Sequence, residues 1–225
     1  MKKIIIAILS IAIATPTFAQ YKDRYNRPVQ RSYSQSRHSN YNSYNGNIYW
    51  GLRLGLGVST VSSDDSYLDG GSSQTGLNVG VAVGFQLAPQ APVFLETGLY
   101  YIEKGGRNTY SGTKLTYDLN YLEIPIVVKY KAYIDRGLAI EPFAGGYLAC
   151  GVSGKAKNFN NRVADESFSD DYFQRFDGGI RIGCGLEYQM LYAEMGYDFG
   201  LANICHDTFA KSHNGCFFAN IGVNF

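Results

Sequence analysis

The chain has 225 residues, of which 45% are hydrophobic and 17% are charged, and 20 basic residues nearly balance 19 acidic ones. This balance excludes a globally basic nucleic-acid binder and a strongly acidic solvating chain. The 26 glycines and 19 tyrosines argue against a helical bundle, because glycine destabilises helix interiors. They favour a β-rich architecture.

The first 19 residues have the organisation of a secretory signal peptide. Two lysines precede the apolar run Ile4–Ala14, and Thr17–Ala19 resembles a small-x-small cleavage site. The first cysteine is Cys150, so no lipid-anchor cysteine follows that site. No later run of about 20 apolar residues predicts a transmembrane helix. We therefore expect an exported protein whose signal peptide, residues 1–19, is removed.

Residues 20–47 are rich in Ser, Asn, Gln, Arg and Tyr and contain almost no aliphatic side chains. Such a segment buries too little apolar surface to offset the entropy of ordering it. It is predicted to be a disordered tail in the periplasm. Five basic residues and one acid give it a charge of +4; with two lysines in the signal, this leaves −5 for residues 48–225 of the chain's net +1.

From Ile48 onward, apolar residues recur at every second position, which is the period of a β-strand with one apolar face. Over residues 50–58, for example, Trp, Leu and Val alternate with Gly and Arg. Pro125 predicts a bulge within the fourth strand, because proline cannot donate to the hydrogen-bond ladder. Eight strands are predicted, at residues 48–60, 76–87, 93–104, 117–131, 138–152, 176–188, 191–202 and 216–225.

The connections between these strands alternate in length. Three are short, at residues 88–92, 132–137 and 189–190. Four are long, at residues 61–75, 105–116, 153–175 and 203–215. Membrane barrels have this asymmetry, whereas a soluble sandwich has no reason to sort its loops. The predicted fold is all-β: an eight-stranded, antiparallel, up-and-down transmembrane β-barrel over residues 48–225.

The polar face of the strands carries many glycines and isolated charges. In an eight-stranded membrane barrel this face lines a lumen just wide enough for side chains, and glycine leaves space for the long ionic ones. Those charges are expected to pair, because an unpaired buried charge is costly. The predicted lumen charge network consists of Arg53, Glu96, Lys104, Glu123, Lys129, Glu141, Arg181, Glu187 and Glu194, and Asp177 and Asp198 lie on the same face.

Aromatic residues are predicted to form two girdles at the membrane interfaces. Those near the short-turn end are Tyr49, Trp50, Tyr130, Tyr133, Tyr188, Tyr192 and Phe225. Those near the long-loop end are Tyr117, Tyr147, Tyr172, Phe173, Phe176, Phe199 and Phe217.

The segment Tyr121–Tyr130, YLEIPIVVKY, resembles the YLEIPLLLKY signature of the PorT-like outer membrane β-barrel proteins of Bacteroidetes. Gly76–Gly80, followed by Phe94–Tyr101 and Lys104-Gly105, is also similar to that family, and the resemblance covers the whole predicted barrel. It implies an outer membrane protein. The terminal Phe225 resembles the C-terminal aromatic signal read by the barrel-assembly machinery, which is thus an expected partner during biogenesis. The namesake member belongs to a secretion system, a role that the resemblance alone does not carry over.

Cys205 and Cys216 bracket the last long loop and, in an oxidising compartment, are predicted to form a disulfide that closes it. Cys150 and Cys184 lie on the apolar face of neighbouring predicted strands, and the sequence leaves open whether they pair. The four cysteines have no CxxC spacing, which argues against a zinc site.

His206, Asp207 and His213 lie in the same loop and could form a metal site or an acid–base pair, but no accompanying serine or carboxylate has a convincing spacing. We interpret them as polar loop residues. The sequence contains no GxSxG, P-loop or βαβ-type GxGxxG motif. No catalytic residue, cofactor or metal is predicted.

The predicted function is that of an integral, non-enzymatic outer membrane barrel, either structural or binding partners through its outer loops. Expected partners are the outer membrane lipids and an envelope protein, and no nucleic acid is expected. The alternatives are a component of a protein secretion machinery or, less favoured, a lipid-modifying barrel hydrolase that uses His206 and His213. A solute pore conflicts with the strand count, since wide lumens need about 16 strands.

Overall fold

The computed structural model describes residues 48–63, 72–88, 91–110, 113–135, 137–158, 163–168, 173–205 and 211–225. The predicted signal peptide and the predicted tail lie outside these ranges. No helix among the described residues is long and apolar enough to cross a membrane. The strands are β1 (Ile48–Ser63), β2 (Ser72–Ala88), β3 (Ala91–Tyr110), β4 (Thr113–Tyr130), β5 (Ala132–Asp135), β6 (Leu138–Ser153), β7 (Lys155–Asn158), β8 (Val163–Glu166), β9 (Phe176–Tyr188), β10 (Leu191–Gly200) and β11 (Ser212–Asn224).

Eight long strands close into an antiparallel barrel in the order β1-β2-β3-β4-β6-β9-β10-β11, and β11 pairs with β1. Following the paired positions once around from Ile48 returns to β1 at Val58, ten residues further along. This path runs through Phe85, Leu95, Val128, Ala144, Ile182, Tyr197 and Phe217. Such a stagger tilts the strands by about 35–45°. The predicted fold is confirmed.

The outward face of the barrel is a continuous apolar belt. On β1, every second residue from Ile48 to Val58 is an exposed apolar side chain, including Trp50 at 61% and Leu56 at 57% exposure. Eleven residues at about 3.3 Å each, tilted by about 40°, span about 28 Å. This height matches the apolar band of a membrane barrel, about 25 Å.

The prediction of a long loop at residues 105–116 is wrong. β3 and β4 continue to pair as far as Tyr110 and Thr113, which leaves only residues 111–112 between them. Beyond the belt, the short strands β7 and β8 extend the same sheet, because residues 156–158 pair with 115–117 of β4. Polar residues dominate here, so no apolar alternation marks these strands, although the backbone pairing does not require it.

Pro125 does not form the predicted bulge. It lies opposite Tyr147 of β6 in unbroken register, and the irregularity between these strands falls instead between Asn120 and Tyr121. The missing proline N–H is thus accommodated as a local loss in the ladder, without an extra residue.

Several aromatic residues predicted for the girdles lie inside the barrel. Tyr49, Tyr117, Tyr147, Tyr192 and Phe173 are at most 5% exposed. The strand residues among them share the parity of the inward charges, and parity decides the face of a strand residue, whereas nearness to a turn does not. The predicted girdle residues that do face outward are Trp50, Tyr130, Tyr133, Tyr188 and Phe225 at the turn end and Phe176, Phe199 and Phe217 at the loop end. Tyr172 lies outside the described residues.

Inward-facing glycines make room for these rings. A Cβ on Gly84 would lie 2.1 Å from the Tyr49 ring, and a Cβ on Gly185 would lie 2.3 Å from the hydroxyl oxygen of Tyr192. The space that the sequence assigned to ionic side chains is therefore shared with tyrosine. A methyl group at either glycine would displace a ring that is buried in the lumen.

Candidate functional site

Lys129 is the centre of a charged cluster at the turn end of the lumen. Its Nζ lies 2.9 Å from Glu96 Oε1, 3.6 Å from Glu194 Oε2 and 4.0 Å from Glu141 Oε2. The ring of Tyr192 packs over the same ammonium group, 4.5 Å from its centroid. Three carboxylates from three different strands thereby form ion pairs with this lysine of β4.

Lys131 and Arg53 complete this cluster. Lys131 Nζ lies 3.1 Å from Glu141 and 2.9 Å from Glu187. The Arg53 guanidinium lies 3.6 Å from Glu96, donates to Asn224 Oδ1 at 2.7 Å, and stacks over the Tyr192 ring at 3.9 Å. Charge-assisted hydrogen bonds of this kind are about twice as strong as neutral ones. The cluster therefore connects the strands to one another across the lumen at the turn end of the barrel.

A second cluster surrounds Arg181 nearer the loop end. Its guanidinium donates two hydrogen bonds, of 2.6 and 2.7 Å, to the Asp198 carboxylate and also donates to Glu123. Lys104 Nζ lies 3.0 Å from the other oxygen of Glu123 and 3.5 Å from Asp177. Glu123 thus joins the two cations, and the cluster links strands on opposite sides of the lumen.

Aromatic side chains fill the space between the two clusters. Phe143 and Phe218 stack with their centroids 6.5 Å apart. Phe143 lies 5.1 Å from Lys129 Nζ, and Phe218 lies 4.5 Å from the guanidinium carbon of Arg181. Ring faces attract cations, so this layer contacts both charged clusters and continues the packing through the lumen.

The lumen residues predicted from the sequence are all buried and face inward. The two clusters together contain five cations and seven carboxylates, each within 4.0 Å of an opposite charge. Lys131 was not among the predicted lumen residues, although the parity that places Lys129 inside also places Lys131 there. The inward tyrosines were not predicted either; they neutralise no charge but supply hydroxyl partners, such as Tyr49 donating to Glu96 at 2.6 Å.

Apolar side chains from two loops close the loop end of the barrel. Phe168 and Phe173 belong to the connection between β6 and β9, and Ile204 and Cys205 belong to that between β10 and β11. All four are buried in one cluster with the barrel residues Val61, Tyr117, Leu119, Tyr121, Tyr147 and Ala149. We call this cluster the outer plug. The ring centroids of Phe173 and Tyr117 lie 5.3 Å apart.

Hydrogen bonds hold the outer plug in place. Arg175 donates to the Gly151 carbonyl at 3.2 Å, and Ser167 Oγ donates to the Asp118 carbonyl at 2.8 Å. Gln174 connects the two loops, because its side chain donates to the Cys205 carbonyl at 3.0 Å and its backbone to the Ile204 carbonyl at 2.7 Å. The described parts of these loops therefore turn into the barrel mouth.

Only part of the loop that carries the histidines and the last two cysteines belongs to the described residues. His206 and Asp207 lie outside the described residues, and His213 places Nδ1 3.0 Å from the Ala202 carbonyl. In the part of the chain that the structure describes, no group of three or more His, Cys, Asp or Glu side chains could hold a metal ion. Cys205 and Cys216 are both buried but are not joined by a disulfide, so that pairing stays a prediction.

The register decides the question left open for the two outward cysteines. Cys150 lies opposite Phe176, and Cys184 lies eight residues further along β9. At about 3.4 Å per residue this is about 27 Å, far beyond the roughly 7 Å limit between Cα atoms for a disulfide. Both side chains are exposed on the belt, and they do not pair within one barrel.

Residues 18–206 match the family model described as the outer membrane protein beta-barrel domain. This match spans well over half of the chain. The protein belongs to this outer membrane β-barrel family. No curated protein matches the sequence.

Solved outer membrane barrels are similar to this chain at low identity. The attachment invasion locus protein Ail of Yersinia pestis is 14% identical with a TM-score of 0.43, covering 79% of this chain and 98% of its own. Neisserial surface protein A is 14% identical with a TM-score of 0.47, covering 80% and 98%. OprG from Pseudomonas aeruginosa is 11% identical with a TM-score of 0.46, covering 80% and 96%.

Membership of this family shows which environment surrounds each face of the barrel wall. The protein is located in the outer membrane, and its apolar belt contacts the membrane lipids. The charged and tyrosine-rich face lines the lumen, the inverse of a soluble barrel. The family assignment rests on the sequence match, and the closed strand order and the belt agree with it.

Proposed function

We propose that this outer membrane barrel conducts no solutes and acts through its loop-end surface, by binding an envelope or external partner. The filled lumen carries this proposal. Two ion-pair clusters, the aromatic layer between them and the outer plug occupy successive levels of the barrel. An eight-stranded lumen is only wide enough for side chains. A partner can therefore bind only at the ends of the barrel or on its outer wall.

The orientation follows from the loop lengths. Short turns of outer membrane barrels face the periplasm and long loops face outward, which directs the outer plug away from the cell. Ile48 and Phe225 both lie at the turn end, where Phe225 exchanges backbone hydrogen bonds with Trp50. A tail of residues 20–47, left by removal of residues 1–19, would therefore emerge in the periplasm. Phe225 remains our candidate for the signal recognised by the barrel-assembly machinery.

Residues of the segment Tyr121–Tyr130, which carries the PorT-like resemblance, line the lumen. Tyr121 packs edge-on against Phe168, with centroids 5.5 Å apart. Glu123 joins Lys104 to Arg181, and Lys129 centres the turn-end cluster. The signature residues thus build the inside of a barrel. They support a PorT-like arrangement of the lumen residues. They give no separate support to a role in secretion machinery.

Planar bilayers test the proposal. The purified, refolded protein, whose folding is verified by a heat-dependent shift on a gel, is expected to give no steady single-channel conductance. Clear conductance steps from the folded band would overturn it. An unchanged lipid A profile after mutation of His206 and His213 would argue against the hydrolase, and a pull-down that recovers export proteins would favour the secretion alternative.

The disulfide between Cys205 and Cys216 is tested separately. Alkylation of the unfolded, unreduced protein would modify two cysteines if this disulfide forms and all four if it does not. Recovery of the protein from the oxidising envelope before analysis is essential, because the cytosol keeps thiols reduced.

A further inference from the structure

A row of mostly polar residues crosses five strands of the sheet that extends beyond the belt at the loop end. Its members are successive partners in the ladders of β2, β3, β4, β7 and β8, namely Ser72, Arg107, Thr116, Lys157 and Ala164. We call it the cationic row, because it contains two cations and no carboxylate. It is thus a positively charged place in a part of the chain, residues 48–225, whose net charge is −5.

The cationic row lies on the outer face of the sheet. Directly opposed residues of neighbouring strands share a face, and successive residues of one strand alternate between faces. Tyr117, the residue after Thr116, is 2% exposed and belongs to the outer plug. Thr116 and its partners in the row therefore lie on the face that points sideways, away from the barrel axis. Arg107 is exposed there.

The adjacent outward positions leave a surplus of positive charge. On the membrane side of the row, exposed Lys155 lies opposite Glu166. Also on that side, the Asp118 carboxylate accepts a hydrogen bond of 2.6 Å from the side-chain amide of Gln74. On the other side, the next position of β4 with the same parity is Lys114. Together with the row itself, this face carries four cations and two carboxylates.

The height of the row above the belt selects the kind of headgroup that it can meet. The last exposed apolar residue of β4 is Leu122, six positions before Thr116 along the rising strand. At about 3.3 Å per residue and a tilt of about 40°, Thr116 lies about 15 Å further out. Phospholipid headgroups add only about 5–8 Å to the hydrocarbon layer on each side. A lipid that reaches the row therefore has a tall headgroup.

We propose that the cationic row binds phosphate groups on the saccharide headgroup of a glycolipid that stands beside the barrel in the outer leaflet. A saccharide gives the headgroup the necessary height, and its phosphates match the charge of the row. Because the row faces sideways, a neighbouring lipid meets it more directly than a partner approaching the barrel mouth. The inference rests on the outward orientation of the loop end argued above, and it adds a headgroup site to the proposed function.

The composition of the row suits phosphate. Arginine offers a planar fork of donors for two phosphate oxygens, and lysine offers a compact positive charge. Arg107 and Lys157 are two strand spacings apart, about 10 Å between their Cα atoms. Thr116 lies between them and adds a hydroxyl donor. Two long cationic side chains can therefore approach one phosphate, or two adjacent ones, from opposite sides.

Native mass spectrometry of the refolded full barrel in a non-ionic detergent tests this inference. The probe is lipopolysaccharide with a short phosphorylated saccharide, and the reference is the same lipid after removal of its phosphates. We expect the barrel to retain the phosphorylated form several-fold more strongly. Equal retention of the two forms would overturn the proposal. So would displacement of the lipid by millimolar inorganic phosphate, which would identify a soluble anion as the ligand.

Removal of single charges supplies the matched control. Lys157→Gln should lower retention of the phosphorylated lipid several-fold, and Arg107→Gln/Lys157→Gln should reduce it to that of the dephosphorylated lipid. Lys211→Gln should leave it unchanged, because Lys211 is exposed just before β11, four strands away from β4 around the barrel. Unchanged retention in the double variant, or equal loss in Lys157→Gln and Lys211→Gln, would contradict the proposal.

Two further measurements separate this site from folding and from the proposed function. The heat-dependent gel shift verifies that each variant folds. In vesicles of phosphatidylcholine alone, the row variants should unfold at the urea concentration of the native protein, because the row lies on the exposed face and not in the lumen. Equal retention by a folded, non-conducting barrel refutes the headgroup site alone, whereas conductance refutes the proposed function alone.

Discussion

Replacement of Arg181 by Met tests whether the ion pairs hold the barrel together. Arg181 is 4% exposed and binds Asp198 through two bonds of 2.6 and 2.7 Å, with Glu123 as a further acceptor. Met keeps much of the side-chain volume, so the main loss is charge. Removing one partner leaves buried carboxylates without compensation, which typically costs about 3–5 kcal/mol.

Glu123 retains Lys104 at 3.0 Å, so the uncompensated group in Arg181→Met is chiefly Asp198. The double variant Arg181→Met/Asp198→Asn removes both charges and should recover a large part of the loss. This recovery would distinguish a buried ion pair from a general packing defect, because a double-mutant cycle isolates the coupling between two groups in contact.

The assay is the free energy of unfolding of the refolded barrel in vesicles, from urea titrations monitored by Trp50 fluorescence and by the gel shift. Arg107→Gln, a change at an exposed position of β3 beyond the belt, is the control and should leave the urea midpoint unchanged. If Arg181→Met unfolds at the same urea concentration as the native protein, or if the double variant is less stable than the single one, the reasoning is refuted.

Three further predictions concern the rings, the outer plug and the outward cysteines. Gly84→Val should prevent the gel shift, because its Cβ would lie 2.1 Å from the Tyr49 ring, whereas Gly146→Ala, with its nearest neighbour at 3.3 Å, should fold; folding of both would contradict the close packing. Phe173→Ala should cost about 3–5 kcal/mol and admit protease to the plug loops, whereas Phe176→Ala, on the exposed belt, should leave the loops as resistant as before. In a variant with Cys205 and Cys216 replaced by Ser, copper–phenanthroline oxidation should produce no intramolecular bond between Cys150 and Cys184; a bond within one barrel would contradict the register.

The strands and their two faces could be predicted from the amino-acid sequence alone. A strand places successive side chains on opposite sides, so the alternation from Ile48 onward separates the belt from the lumen without any knowledge of the neighbours. It also reveals the inward charges, since Arg53, Glu123 and Lys129 each interrupt an apolar run at the inward parity. The same rule would have placed Tyr49 and Tyr192 inside, had parity rather than nearness to a turn been applied to the aromatic residues.

The contacts between these residues depend on the closed barrel. The stagger of ten residues around the barrel brings Glu123 of β4 to Arg181 of β9, and no spacing along the chain encodes that contact. It likewise separates Cys150 from Cys184. The outer plug could not be predicted from the sequence either, because Phe168 and Ile204 lie in loops without periodicity. These residues pack into the opening of a closed barrel, which exists only after the last strand has paired with the first.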